Sequence, residues 1–161
     1  MGTNDDFYHA TPQIRGNIAH DAVDGKHSST RKDELLAMPV FCKSLGITGK
    51  IDVYRGREKH LIERKYQLKQ IYQGQYYQLW GQYFCMIEMG YEIEKLSFYE
   101  ISRNRTIQFN LPGQPEYDEL KSFILKFQSF NVEEIYPVNP NKCSHCIYNP
   151  VCHLAPVENV Y

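Results

Sequence analysis

Asp52 is followed eleven residues later by the run Glu63-Arg64-Lys65. Two acids carried by neighbouring strands can hold a hard divalent cation between them, and oxygen ligands favour Mg²⁺ or Mn²⁺. Such a cation activates water and stabilises charge on a phosphodiester. Side chains alternate along a strand, so Glu63 and Lys65 share one face while Ile62, Arg64 and Tyr66 share the other. Lys65 is then placed to orient the water or to neutralise the developing charge. Asp52, Glu63 and Lys65 are therefore the candidate catalytic residues, with Asp52 and Glu63 as metal ligands.

Two further groups bear on that centre. His20 lies at the edge of the apolar stripe of an expected helix, marked by Ile14, Ile18 and Ala22, from which an imidazole can lean into a neighbouring cleft. Imidazole suits Mn²⁺ better than Mg²⁺, so His20 as a ligand makes manganese use plausible. Gln75, Gln78 and Gln82 fall within about 60° of one another on a second helix. Such glutamines can bond phosphate or sugar atoms, or buttress a catalytic carboxylate. Tyr76, Tyr77, Trp80, Tyr83 and Phe84 surround them and are expected mostly in the core, a minority being able to stack on unpaired bases.

Near the C-terminus, Cys143-Ser-His-Cys146 and Cys152 supply three thiolates close together in sequence. A [4Fe–4S] cluster or a structural zinc takes four ligands, so these three leave one to find; His145 and His153 are local candidates for a zinc Cys3His site. Cys42 and Cys85 stand in apolar contexts and are expected as buried core thiols.

The elements that must position these residues read as follows. Residues 1–10 carry no ordering signal. Thr11-Pro12 starts a helix that runs to about Asp24 and stops at Gly25. Residues 25–34 read as polar loop, with a weak helical turn at Lys32–Leu36. Strands are expected at Pro39–Leu45, Ile47–Tyr54 and His60–Gln67, broken by Gly46 and by the turn Arg55–Lys59. A helix follows from about Ile71 to Met89, ended by Gly90. Two more strands, Lys95–Ser102 and Arg105–Leu111, flank Arg103-Asn104, and Pro112-Gly113 then breaks the chain. Tyr117–Phe130 has helical spacing, with Leu120, Phe123, Ile124 and Phe127 on one side. The order predicts an α/β fold, a mixed sheet flanked by helices. The expected organisation is an N-terminal stretch over 1–10, a catalytic domain over 11–136 and a cysteine-rich segment over 137–161.

The chain of 161 residues suits one domain with a sizeable core, and with 42% hydrophobic and 23% charged residues it is globular in composition. No apolar run approaches the roughly 18 residues that span a bilayer, and no secretory-type segment opens the chain. A cytoplasmic location and no membrane partner are expected. The net charge of −1 advertises no global attraction to nucleic acid. Locally, however, Lys43, Lys50, Arg55, Arg57, Lys59, Arg64, Lys65 and Lys69 crowd one stretch that holds only three acids, two of them the proposed ligands.

As a set, Gly16-Asn-Ile-Ala-His20-Asp-Ala-Val-Asp24, Gly49-Lys-Ile-Asp52, Ile62-Glu63-Arg64-Lys65-Tyr66, Gln78-Leu79-Trp80-Gly81-Gln82 and the three late cysteines resemble the CRISPR-associated RecB-like exonucleases, the fourth Cas protein family. That family belongs to the PD-(D/E)XK nuclease superfamily, and the motifs run in its order over about residues 12–155. The resemblance implies a RecB-like nuclease core with His20, Asp52, Glu63 and the backbone carbonyl of Arg64 on the metal. It implies a catalytic Lys65, Gln78 in the third nuclease motif, and an iron–sulfur cluster on Cys143, Cys146 and Cys152. It implies a Mg²⁺- or Mn²⁺-dependent single-strand DNA exonuclease that trims prespacer overhangs alongside the CRISPR integrase complex. A catalytically weak DNA-end-recognition subunit docking on that complex, and a stand-alone phage or repair nuclease of the same superfamily, are the alternatives. Two departures stand out. The family carries its first cluster cysteine upstream of the histidine motif, whereas the 19 residues before His20 hold none. The fourth cluster ligand is thus missing, as in a naturally short or truncated form. Gln82 stands where related motifs often place tyrosine.

Overall fold

The computed structural model describes residues 33–131, 139–146 and 148–152. Two compact units divide the chain: Ala19–Phe130 holds both sheets and the long helices, and the described part of the other is the cysteine segment. The expected helix from Thr11, the N-terminal ten residues, His20 and His153 lie outside the described residues.

The described residues form seven strands: β1 (Glu34–Leu36), β2 (Pro39–Cys42), β3 (Ile47–Lys50), β4 (Val53–Arg55), β5 (His60–Lys65), β6 (Lys95–Glu100) and β7 (Arg105–Phe109). Five form one sheet in the order β1-β4-β5-β6-β7, and β2 pairs with β3 in a second. β5 and β6 run parallel; the other pairs among these strands are antiparallel. A parallel pair needs a crossover, and helix α1 (Gln73–Glu88) supplies it between β5 and β6. The architecture is a mixed α/β fold built on a mixed sheet. No helix among the described residues is long and apolar enough to cross a membrane.

β5 is the middle strand, and five of its six residues are buried. The register puts Leu61, Glu63 and Lys65 on one face with Leu96, Phe98 and Glu100, while His60, Ile62 and Arg64 point to the other with Ser97. The stripe Leu79, Gln82, Cys85 and Met86 of α1 is buried, and its apolar members join Leu61, Leu96 and Phe98 in one core. Phe98 has no exposed surface and meets the ring of Phe109 edge-on at 5.0 Å. Cys42 and Cys85 are core thiols as expected, each 2% exposed. Tyr77, Trp80, Tyr83 and Phe84 pack against the same core.

α1 ends where the sequence predicts. Gly90 takes φ +91°, a left-handed conformation that costs glycine little, and Tyr91 N and Gly90 N donate back to the carbonyls of Met86 and Ile87. Helix α2 (Gln114–Gln128) begins three residues before the expected Tyr117, with Pro115 in its first turn. It turns Leu120 and Ile124 to the core but leaves Phe123 and Phe127 at 47% and 75% exposed, so the expected apolar side is only half used.

Two expectations need correction. Residues 33–36, read as loop with a helical turn, contain strand β1. Its pairing is non-local: Glu34–Leu36 align with Val53–Arg55, and Arg55 Nε donates to Glu34 Oε1 at 2.8 Å. Three residues are too few to carry a period. Second, the expected strand Ile47–Tyr54 is broken at Ile51-Asp52, between β3 and β4. The hairpin register runs on through the break, from Pro39 opposite Lys50 to Leu36 opposite Val53. Ile51 N still donates to Met38 O, and Ala37 N to Asp52 O, both at 3.0 Å. Ala37, opposite Asp52, sits at φ +51°, an uncommon conformation for a residue with a Cβ. The chain bends there from one sheet into the other.

The cysteine segment holds a four-residue helix, α3 (Pro140–Cys143), capped by the Asn139 side chain, and a 3₁₀ turn at Asn149–Val151.

Candidate active site

Glu63 lies at the centre of the described site. It sits on the middle strand, faces α1 and is 3% exposed. A buried carboxylate must be satisfied by donors, and three reach it. Lys65 Nζ donates to Oε1 at 2.8 Å, Gln78 Nε2 to the same oxygen at 2.6 Å, and Gln82 Nε2 to Oε2 at 2.7 Å. Lys65 and Glu63 meet because residues two apart on a strand share a face; Gln78 and Gln82 meet the pair because residues four apart on a helix do. Lys65 Nζ also donates to Gln78 Oε1 at 2.7 Å, so Glu63, Lys65 and Gln78 close a ring that fixes the ammonium.

Asp52 completes the group from the bend between β3 and β4. β4 begins only at Val53, opposite Ile62, so the ladder does not extend to Arg64 N. Asp52 Oδ2 accepts that N–H at 2.7 Å and takes the place of a strand partner. Gln82 ties the same bend down through a 3.1 Å bond from Nε2 to Lys50 O.

The electrostatics follow from burial. Glu63's carboxyl is held above its ordinary range, first by desolvation and then by the negative charge of Asp52; Lys65 and Gln82 pull it back. A buried carboxylate that stands in the field of a second acid is a natural seat for a cation. Gln82 Oε1 adds a buried acceptor with no hydrogen-bond partner among the described residues. Turning the amide over would not help, since Nε2 already serves two acceptors. This donor set fits a hard divalent cation. Among the described residues no three His, Cys, Asp or Glu side chains converge as a metal site, and His20 lies outside them.

The structure thus brings together Asp52, Glu63, Lys65, Gln78 and Gln82. It leaves Gln75 apart: its Oε1 accepts from Tyr72 N at 2.8 Å and caps the start of α1. Arg64 turns its side chain to the opposite face of the sheet, 4% exposed. Cys143, Cys146 and Cys152 are free thiols that do not gather into one group, and His145 Nδ1 lies 3.0 Å from Asn141 O.

One residue of this face escaped the sequence reading. Glu100, wholly buried at the end of β6, lies beside Lys65 in the register. Its carboxylate accepts from Leu68 N at 3.0 Å and from Arg105 Nη2 at 2.9 Å. Leu68's N–H, Arg105 and the nearby Arg103 hold its proton affinity below the ordinary range. Alternation with Leu96 and Phe98 was the available signal, since it marks Glu100 as an acid on the buried face.

Comparison with known proteins bears on the fold. No family model matches the chain, and no curated protein is significantly similar to it. Among solved structures, the crystal structure of SSO0001 superposes with a TM-score of 0.55 at 19% identity, over 89% of this chain and 71% of that one. At that identity the likeness speaks for a shared fold.

Proposed function

We propose that the chain is a metal-dependent DNA nuclease that cleaves single-stranded ends, and that it acts in CRISPR adaptation by trimming prespacer overhangs beside the integrase. The observation that carries the nuclease reading is the buried Glu63, set in the field of Asp52 and bonded in a closed ring to Lys65 and Gln78. A purely structural salt bridge needs no second acid and no pair of glutamines on its carboxylate. The step to CRISPR adaptation rests on the ordered motif resemblance.

In this reading Asp52 and Glu63 would hold the cation, with His20 and the Arg64 carbonyl as further ligands. When bound, Mg²⁺ or Mn²⁺ would supply a water of lowered pKa and a Lewis acid for the phosphodiester. Gln82 keeps Glu63 Oε2 in place and pins the bend that carries Asp52. Gln78 holds the Lys65 ammonium at a set position, from which it would neutralise charge developing on the phosphate. No step is routed through Cys143, Cys146 and Cys152, which would serve a cluster or zinc outside the reaction.

Labelled single-stranded DNA with Mn²⁺, with and without chelator, tests the reading. Wild type should cleave, chelator should stop it, and Asp52→Ala or Lys65→Ala should abolish turnover while the fold survives. Unchanged manganese-dependent cleavage by either variant, or DNA binding by wild type without turnover, overturns it.

A further inference from the structure

Two arginines beside the Glu63–Lys65 centre remain unused by the reading above. Lys65 pairs with Glu100, and Glu100 with Arg105, so the three stand in one row across β5, β6 and β7. Neighbouring strands lie about 4.8 Å apart, which puts Arg105 within two strand spacings of Lys65. The row alternates in charge, but the middle member is wholly buried and the outer arginine is not: half of the Arg105 side chain is exposed. Arg103, from the turn between β6 and β7, approaches the same carboxylate with Nε at 3.9 Å and is 57% exposed. One arginine would satisfy one buried carboxylate. With two, the trio carries a net positive charge and leaves guanidinium N–H groups facing solvent.

The turn is built firmly. Ile101 N donates to Lys65 O and Ser102 N to Tyr66 O, both at 2.9 Å, so it is zipped to the end of the strand that bears Lys65. Asn104 holds φ +48°, and Tyr99 Oη donates to its Oδ1 at 2.7 Å. Glu100 binds Leu68 N on one side and Arg105 on the other, and so ties both flanks of the site together. A fixed, exposed pair of guanidiniums beside a phosphodiester-cleaving centre suits a phosphate, which arginine grips through two parallel N–H bonds.

We propose that Arg103 and Arg105 form a flanking subsite for a backbone phosphate of the single-stranded substrate, positioned by the buried Glu100. The subsite rests on the nuclease reading for its substrate. Its role is to register the strand, so it acts on binding and leaves the reacting atoms to Asp52, Glu63 and Lys65.

The test measures KM, kcat and Kd for labelled single-stranded DNA over a range of salt, using the full chain and Mn²⁺. Arg103→Gln and Arg105→Gln should each raise KM and Kd several-fold and leave kcat within about twofold. Each should also flatten the dependence of log Kd on log salt, by up to about 0.7, the value for one phosphate contact on a single strand. Arg105→Lys should keep the salt slope. Because Arg105→Gln also strips a partner from a buried carboxylate, Arg103→Gln, with its longer contact, guards against a loss due to folding alone. Wild-type KM, Kd and salt slope in both glutamine variants overturn the subsite while wild-type cleavage upholds the nuclease reading. A wild type that binds but does not cleave overturns the nuclease reading, and the Kd slopes then decide the subsite. A wild type that does neither overturns both.

Discussion

Replacing Gln82 with leucine removes the amide that holds Glu63 Oε2 at 2.7 Å and Lys50 O at 3.1 Å, with little change in side-chain volume. The bond to a charged carboxylate contributes about 1.5–3 kcal/mol and the neutral one about 0.5–1.5 kcal/mol. Against that, the variant no longer buries the partnerless Oε1, a group whose desolvation costs about 1–3 kcal/mol. The balance is a loss of about 1 kcal/mol, or a fall in Tm of about 2–4 °C for a chain of this length. The pH dependence is the sharper readout. Gln82 is one of the groups that lower Glu63's proton affinity, so its loss raises the carboxyl further above the ordinary range. A folded-state pKa raised above the unfolded value gives stability that is full below the unfolded pKa and lost as pH rises through the folded one. The metal-free Gln82→Leu protein should therefore fall further behind wild type as pH rises from acid to neutral. Thermal unfolding followed by circular dichroism in chelator, across that range, measures both quantities. A Tm gap that stays constant with pH would refute the reasoning, because it would mean that the amide does not bear on the charge of Glu63. So would a variant more stable than wild type at neutral pH.

Other perturbations reach different parts of the fold. Phe98→Ala should destabilise the protein by about 3–5 kcal/mol in denaturant titration, since a fully buried ring against Phe109 leaves a cavity. Glu88 is pushed down to about 2 by the hydroxyl of Ser44, the thiol of Cys42 and the backbone N–H of Lys43, which clamp the end of α1 to the β2–β3 turn. A depressed folded-state pKa gives stability that is present above the ordinary value of 4.5 and lost as pH falls toward about 2. Glu88→Ala should thus lower Tm at neutral pH, and the gap from wild type should close over that acid window. His60, buried with Nε2 2.8 Å from Ser97 Oγ, is pushed below its ordinary 6.5, first by burial and then by Arg55. Its neutral form is favoured by folding, so stability present above 6.5 drains away as pH falls through the lower folded value. His60→Gln should lose that mildly acidic slope in an unfolding series, and an unchanged slope would assign it to other groups.

Local periodicity made much of the site legible. The two-residue repeat of a strand is enough to put Glu63 and Lys65 on one face, and the helical repeat to align Gln78 with Gln82. Gly90 after an apolar helical run marks the end of α1, and the apolar settings of Cys42 and Cys85 mark them as core. The same helical geometry put Gln75 with its neighbours, yet Gln75 is spent on Tyr72 N at the helix start. An angular repeat says nothing about position along the axis, nor about which backbone groups a helix end leaves to be satisfied.

What the sequence alone determined is which side chains share a face, because that depends only on the repeat of each element. What only the tertiary structure decided is which faces meet. β1 exists because Val53–Arg55 offers an edge to Glu34–Leu36, far along the chain. Asp52 meets Arg64 N because the hairpin bends at Ala37 and β4 begins only after the bend. Glu100 becomes a buried anchor for Leu68 and Arg105 because β6 lies parallel to β5 and ends level with Lys65. Each of these contacts joins residues whose separation in sequence carries no period, so only chain closure in three dimensions can specify them.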